Sequence, residues 1–291
     1  MPSKLKTYLQ LVRLPNAFTA LADVAAGFLA SGGGAGELRP ALLVATASVC
    51  LYTGGIVLND VCDIGVDRRE RPSRPLPSGR VALSRARVLA FGLLAAGFAA
   101  GALATVASGI VAALLVGLIV LYDAWAKHVP LVGPISMGSC RFANVLLGAT
   151  AASAGQPFPW IPAVLIAGLV VAATMLSRDE VAGGRRRGVL AASLVLGLIA
   201  TLAAVWLRAE GRDAWGWVFL LVFLAFIGPG LVRAWQAPNP SAIQGGVKRL
   251  VLGIIPLDAV VVAGAAGPVA GCLVLGLLIP SWRIGRWIYV T

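Results

Sequence analysis

Long apolar runs recur along the chain, about 17–22 residues each, and as helix each is long enough to cross a hydrocarbon core of about 30 Å. Short polar turns separate them, as at 31–40 (SGGGAGELRP), 153–160 (SAGQPFPW) and 236–246 (QAPNPSAIQGG). Hydrophobic residues make up 59% of the 291, and charged residues only 12%, against roughly 25% in an average soluble domain. Mean hydropathy is +0.89. One water-facing core cannot hide that much apolar surface, so a cytosolic globule, a disulfide scaffold and a disordered chain are excluded. In lipid every backbone polar group must be satisfied internally, which leaves helices. The fold class expected is all-α: a polytopic transmembrane bundle of nine or ten helices, forming one domain over residues 1–291.

The apolar segments run at about 14–31, 40–58, 87–106, 109–125, 134–153, 160–177, 188–207, 215–232, 248–264 and 267–283. The least distinct boundary lies near Ala266–Gly267, and the least regular helix is the ninth, which contains Asp258. With the N-terminus inside, 21 of the 24 Lys and Arg residues fall on the inner side, and only Arg39, Arg208 and Arg212 fall outside. That bias follows the positive-inside rule and favours ten spans, because nine would place Arg283 and Arg286 outside. The expected location is a multi-pass protein of the cytoplasmic membrane, its active site facing the cytoplasm. Net charge is +12. Basic inner loops account for it, and nucleic acid is not an expected partner. Cys50, Cys62, Cys140 and Cys272 show no CxxC spacing, so neither a zinc site nor a structural disulfide is expected. The start, MPSKLKTYLQLVRLPNAF, reads as a retained amphipathic helix. The Gly32–Gly36 run reads as an outer turn.

Chemistry concentrates in LNDVCDIGVDRRERPSRPLPSGRV. Asp60, Asp63 and Asp67 stand at i, i+3 and i+7, along one face if the helix continues, and Asn59 precedes Asp63 by four. Three carboxylates facing one way repel each other until a cation neutralises them. Hard oxygen ligands suit Mg²⁺, which often bridges to substrate phosphates. Arg68, Arg71, Arg74 and Arg80 follow, and arginine forks match phosphate oxygens. Acids for a cation beside arginines for an anion describe a metal–diphosphate site.

NDVCDIGVDRRERPSRPLPSG resembles the first aspartate-rich motif of the UbiA superfamily of intramembrane prenyltransferases, NDxxDxxxD followed by a basic run and RPLPSG. LVRLPNAF, with Arg13 and Asn16, resembles the family's first-helix entry. LYDAWAKHVPLVG, with Tyr122 and Lys127, resembles its helix-4 end, and GSCRFANVLLGA, with Arg141 and Asn144, its fifth helix. The resemblance implies a bundle around a central cavity open to lipid. It implies Mg²⁺-assisted ionisation of a prenyl diphosphate and transfer of the prenyl group to a hydrophobic acceptor. Asp60, Asp63 and Asp67 are then the catalytic acids. Asn59, Asp60, Asp63, Asp67 and Asp179 are the metal ligands. Asn16, Asn59, Arg68, Arg71, Arg74, Arg80, Tyr122, Lys127, Arg141, Asn144 and Arg185 are the substrate contacts.

The second motif of that family usually reads DxxxD. Here the sequence is SRDEVAGGRRRG: Asp179 is present, but Gly183 stands four residues on. The version with SRDEVAGG resembles a divergent UbiA-like branch called EboC, associated with biosynthetic gene clusters. The alternative function is therefore a catalytically weak protein of the same fold that binds or carries an isoprenoid or polyketide-type product. Asp123 is expected near water at a helix end. Asp23 is expected either in the cavity with Asn16 or Arg13, or in a helix–helix hydrogen bond. Asp258 has no partner legible in sequence, and Arg141, near an inner helix end, also suits a snorkelling role.

Overall fold

The computed structural model describes residues 4–152, 158–178, 186–209 and 214–289. Its helices are α1 (Lys4–Leu11), α2 (Leu14–Ala30), α3 (Leu38–Cys62), α4 (Ile64–Glu70), α5 (Leu83–Ala104), α6 (Val106–Ala124) and α7 (Val132–Ala149). They continue with α8 (Trp160–Ser177), α9 (Arg186–Ala209), α10 (Trp215–Gln236), α11 (Pro240–Leu252), α12 (Ile254–Ala266), α13 (Pro268–Leu275) and α14 (Leu278–Tyr289). No strand occurs among the described residues. Eight helical stretches are long and apolar enough to cross a membrane, with α11–α12 and α13–α14 each counted as one. The shorter apolar α2, and α7 with its polar Arg141 and Asn144, occupy the two remaining positions read as spans from the sequence.

Local chemistry sets the helix starts. Thr105 is extended between α5 and α6, and its side chain accepts from the Ser108 amide at 3.0 Å. Asn239 caps α11 in the same way through the Ala242 amide at 2.9 Å. Pro15 and Pro240 stand in first turns, where no helical partner for an N–H is lost. The ninth apolar segment departs from the single helix expected over 248–264. It runs from Pro240 to Ala266 and breaks at Gly253. Pro256 has no N–H to donate to Leu252, so the ladder cannot continue through this point.

The two halves of the bundle have separate apolar cores. One joins α8, α9, α10 and α12 around Leu169, Phe223 and Val260; the other joins α3, α5 and α6 around Leu51, Ala90 and Ala112. Helices α2 and α7 cross between them at glycines. A Cβ on Gly27 would land on the Val145 carbonyl, and one on Gly148 on the Val24 carbonyl. Small residues thus let two backbones touch, a habit of helices packed in lipid. The outward faces are apolar, with Val106, Leu198 and Leu103 largely exposed, as lipid-covered surfaces require. The C-terminal helix closes against the first span: Ser281 Oγ donates to the Pro15 carbonyl at 2.8 Å, and Gln10 Nε2 to the Ile288 carbonyl at 2.9 Å.

Candidate active site

The first acidic motif does not lie on one continuous helix. Helix α3 ends at Cys62, Asp63 (φ −88°, ψ 5°) is the joint, and α4 begins at Ile64. The i, i+3, i+7 face is therefore split, and each acid has its own cation. Asp60 accepts from Arg13 Nη2 at 2.7 Å, with Arg74 Nη1 at 3.6 Å. Asp67 receives the same Arg74 Nη1 on both oxygens, at 3.0 and 2.7 Å. Asp63 pairs with Lys127 Nζ at 2.6 Å. The loop after α4 is built, not tethered: Pro75, Leu76 and Val81 are buried, and the latter two join the α3–α5–α6 core. This docking holds Arg74 over two aspartates.

These residues rim a cavity of about 620 Å³. At its mouth stand Asn59, Asp63, Asp67, Arg71, Arg74 and Lys127. Its deeper walls include Leu51, Leu115, Ile119, Val170, Ala173 and Val251. Of the sequence-read contacts, Asn16, Tyr122, Arg141 and Asn144 also line it. Asp60, only 4% exposed, does not; its ion pairs hold Arg13 and Arg74, which do. Arg68 and Arg80 also lie outside the lining. Arg68 is exposed, and Arg80 is tied to Gln10 Oε1 at 3.0 Å and the Ser73 carbonyl at 2.6 Å. Asp179 and Arg185 fall outside the described residues.

Two polar residues sit differently from expectation. Asp123 is not solvated at its helix end. It is 3% exposed and accepts from Asn59 Nδ2 at 2.7 Å, because α3 and α6 pack side by side there. Arg141 does not snorkel. Nη1 donates to Asp23 at 2.8 Å and Nη2 to Thr19 Oγ1 at 2.9 Å, with the guanidinium 4.6 Å over the Tyr52 ring. Asp23 thus takes the helix–helix alternative, since Asn144 also donates to it at 3.0 Å. Asp258 is fully buried on α12, near the Asp23–Arg141 pair.

The sequence reading missed Tyr52 and Ile56 as lining residues. Tyr52, Ile56, Asn59 and Asp63 follow helical spacing, so continuing the acidic face backward along α3 would have found them.

Long apolar helices around a cavity lined by both ion pairs and apolar side chains define a polytopic membrane protein with an amphiphilic pocket. The UbiA prenyltransferase family model matches residues 20–244, and the chain belongs to that family. Its long apolar helices and family membership make it an integral, multi-pass membrane protein. A digeranylgeranylglyceryl phosphate synthase of Ignicoccus hospitalis is 33% identical over 67% of this chain and 65% of its own length. The match thus spans just under two thirds of that relative. The synthase of the same name from Methanopyrus kandleri is 30% identical over 85% of this chain and 94% of its own. A solved UbiA homologue from Archaeoglobus fulgidus, bound to GPP and Mg²⁺, superposes with a TM-score of 0.65 at 17% identity, covering 88% of this chain and 99% of that one. At that identity the likeness speaks for the fold.

Proposed function

We propose that the chain acts as one domain, residues 1–291, that transfers a prenyl group from a prenyl diphosphate to a hydrophobic acceptor with the help of Mg²⁺. The mouth faces the cytoplasm in this reading. The observation that carries it is the two-part cavity: paired acids and bases at the mouth, apolar walls below. The named synthases and the GPP- and Mg²⁺-bound homologue support the donor class.

The donor set fits Mg²⁺. Asp63, Asp67 and the amide oxygen of Asn59 are hard oxygens at the mouth. Among the described residues no three His, Cys, Asp or Glu side chains converge on one metal position. Mg²⁺ is commonly held by one or two carboxylates plus substrate phosphates, so a sparse carboxylate set suits it. Asp63 and Asp67, with Asn59, are the residues that would hold it. Bound there, Mg²⁺ would supply Lewis-acid charge at the leaving oxygens.

The protein's own groups do the rest. Arg71, Arg74 and Lys127 offer donors to the diphosphate, so negative charge is met by fixed cations as the allylic C–O bond breaks. Arg13 and Asp60 keep Arg74 in place. Leu51, Ile119, Val170 and Val251 keep water from the allylic fragment, which would otherwise be quenched. The acceptor reaches the same chamber from the lipid side. The names of the relatives make a prenylated glyceryl phosphate one member of the acceptor panel.

Calorimetric titration of the detergent-purified protein with GPP, with and without Mg²⁺, tests the reading. Mg²⁺-dependent binding that weakens in Asp63→Ala is the expected result. Equal affinity for wild type and variant under both conditions would remove the mouth as the diphosphate site.

A further inference from the structure

Arg178 ends α8 at the base of the second acidic loop, yet its guanidinium is spent on a different segment. It crosses to the link between α6 and α7. Nη1 donates to the Pro130 carbonyl, and Nη2 to those of Val129 at 3.0 Å and Lys127 at 3.1 Å. One planar fork therefore gathers three carbonyls from four consecutive residues. The sequence leaves one of them in need of an outside donor. The residue four beyond Pro130 is Pro134, which has no N–H, so the Pro130 carbonyl cannot enter the ladder of α7. Room for the fork is also built in. A Cβ on Gly133 would stand 2.6 Å from Arg178 Nη2, and Gly133 is the second residue of α7, where alanine is otherwise a good helix former.

The segment so held begins with Lys127. Its ammonium pairs with Asp63 at 2.6 Å and lies 3.7 Å from Asp123, and its side chain is only 9% exposed. We propose that Arg178, accommodated by Gly133, is a positioning residue for prenyl diphosphate binding. It fixes the backbone of 127–130 so that the Lys127 ammonium stands at the cavity mouth beside Asp63. The same contacts join the base of the second acidic loop to the first acidic motif as one unit. A lysine at 178 carries no planar fork and cannot serve three carbonyls at these positions. This assignment rests on the mouth being the diphosphate site.

Two measurements on Arg178→Ala, Arg178→Lys and Gly133→Ala separate the clamp from that reading. The first is hydrogen–deuterium exchange over residues 126–133 in detergent. Faster exchange in all three variants is expected, with helices α2 and α5 unchanged. The second is steady-state turnover with GPP. The KM for GPP should rise about tenfold in Arg178→Ala, as for loss of hydrogen bonds to a charged group, with kcat altered far less. Gly133→Ala should shift KM in the same direction. The double variant should be no worse than Arg178→Ala, because both changes remove one interaction. Unchanged exchange over 126–133 overturns the clamp, and so does faster exchange with an unchanged KM or with a loss confined to kcat. If the wild type neither binds nor turns over GPP, the functional reading fails, and the exchange data still decide whether Arg178 holds the segment.

Discussion

Single residues at the mouth serve two tasks, and mutation touches both. Asp63 sits at the joint of α3 and α4 with its side chain 27% exposed, and it pairs with Lys127. Asp63→Ala leaves the largely buried Lys127 ammonium with only Asp123 nearby, at 3.7 Å, and should cost about 1–3 kcal/mol of stability. GPP affinity in Mg²⁺ should fall by about tenfold or more, the scale of one lost charged hydrogen bond. Thermal unfolding and titration of the same preparation check both halves. Arg141 is the more structural case. Its charge is buried against Asp23, so Arg141→Ala leaves carboxyls uncompensated in the bundle and should destabilise by about 3–5 kcal/mol. A melting point within error of wild type would contradict that account. The motif acids and arginines were legible because their order is unusual. The fate of Arg141 and Asp123 was not, since pairing between helices whose partners stand 64 or more residues apart leaves no local pattern. The distance from Asp23 to Arg141 is 118 residues in sequence.

At the scale of elements, the positions of the helices were readable from hydrophobic runs, but their interruptions were not. The breaks at Asp63 and Gly253 interrupt stretches that read as continuing helix, and hydropathy carries no signal for a ladder that stops. Proline gives a partial cue at Pro256. Asp63 gives none, and the single-face reading of the three acids failed for that reason. The crossing of α2 and α7 rests on two glycines. Gly148→Val should destabilise by about 1–3 kcal/mol or more, because the added carbons meet the Val24 backbone, which cannot move aside. Gly92→Ala on the outer side of α5, where nothing lies within 4 Å, is the control and should hold or slightly raise the melting point. Equal behaviour of the two variants in detergent melts would show that the crossing is not a tight one.

For the whole molecule, composition alone pointed to lipid, and the excess of Lys and Arg in one set of loops is the basis of the expected orientation. A central cavity was expected from the resemblance, but much of its lining left no pattern in the sequence, since it forms where α2, α3, α4, α6, α7, α8, α11 and α12 converge. Reporter fusions after Arg87 and at the C-terminus should both read cytoplasmic. A C-terminal fusion reading outside would require an odd number of spans. The central claim concerns chemistry at that cavity, and diphosphate release tests it most directly. Purified protein is supplied with Mg²⁺, a prenyl diphosphate and a panel of lipid, aromatic and prenylated glyceryl phosphate acceptors. The account predicts acceptor-dependent release of diphosphate that disappears on chelation and falls at least tenfold, about 1.4 kcal/mol of barrier, in Asp67→Asn. Release that ignores both chelation and the loss of Asp67, or tight binding of the donor with no release for any acceptor, would contradict it.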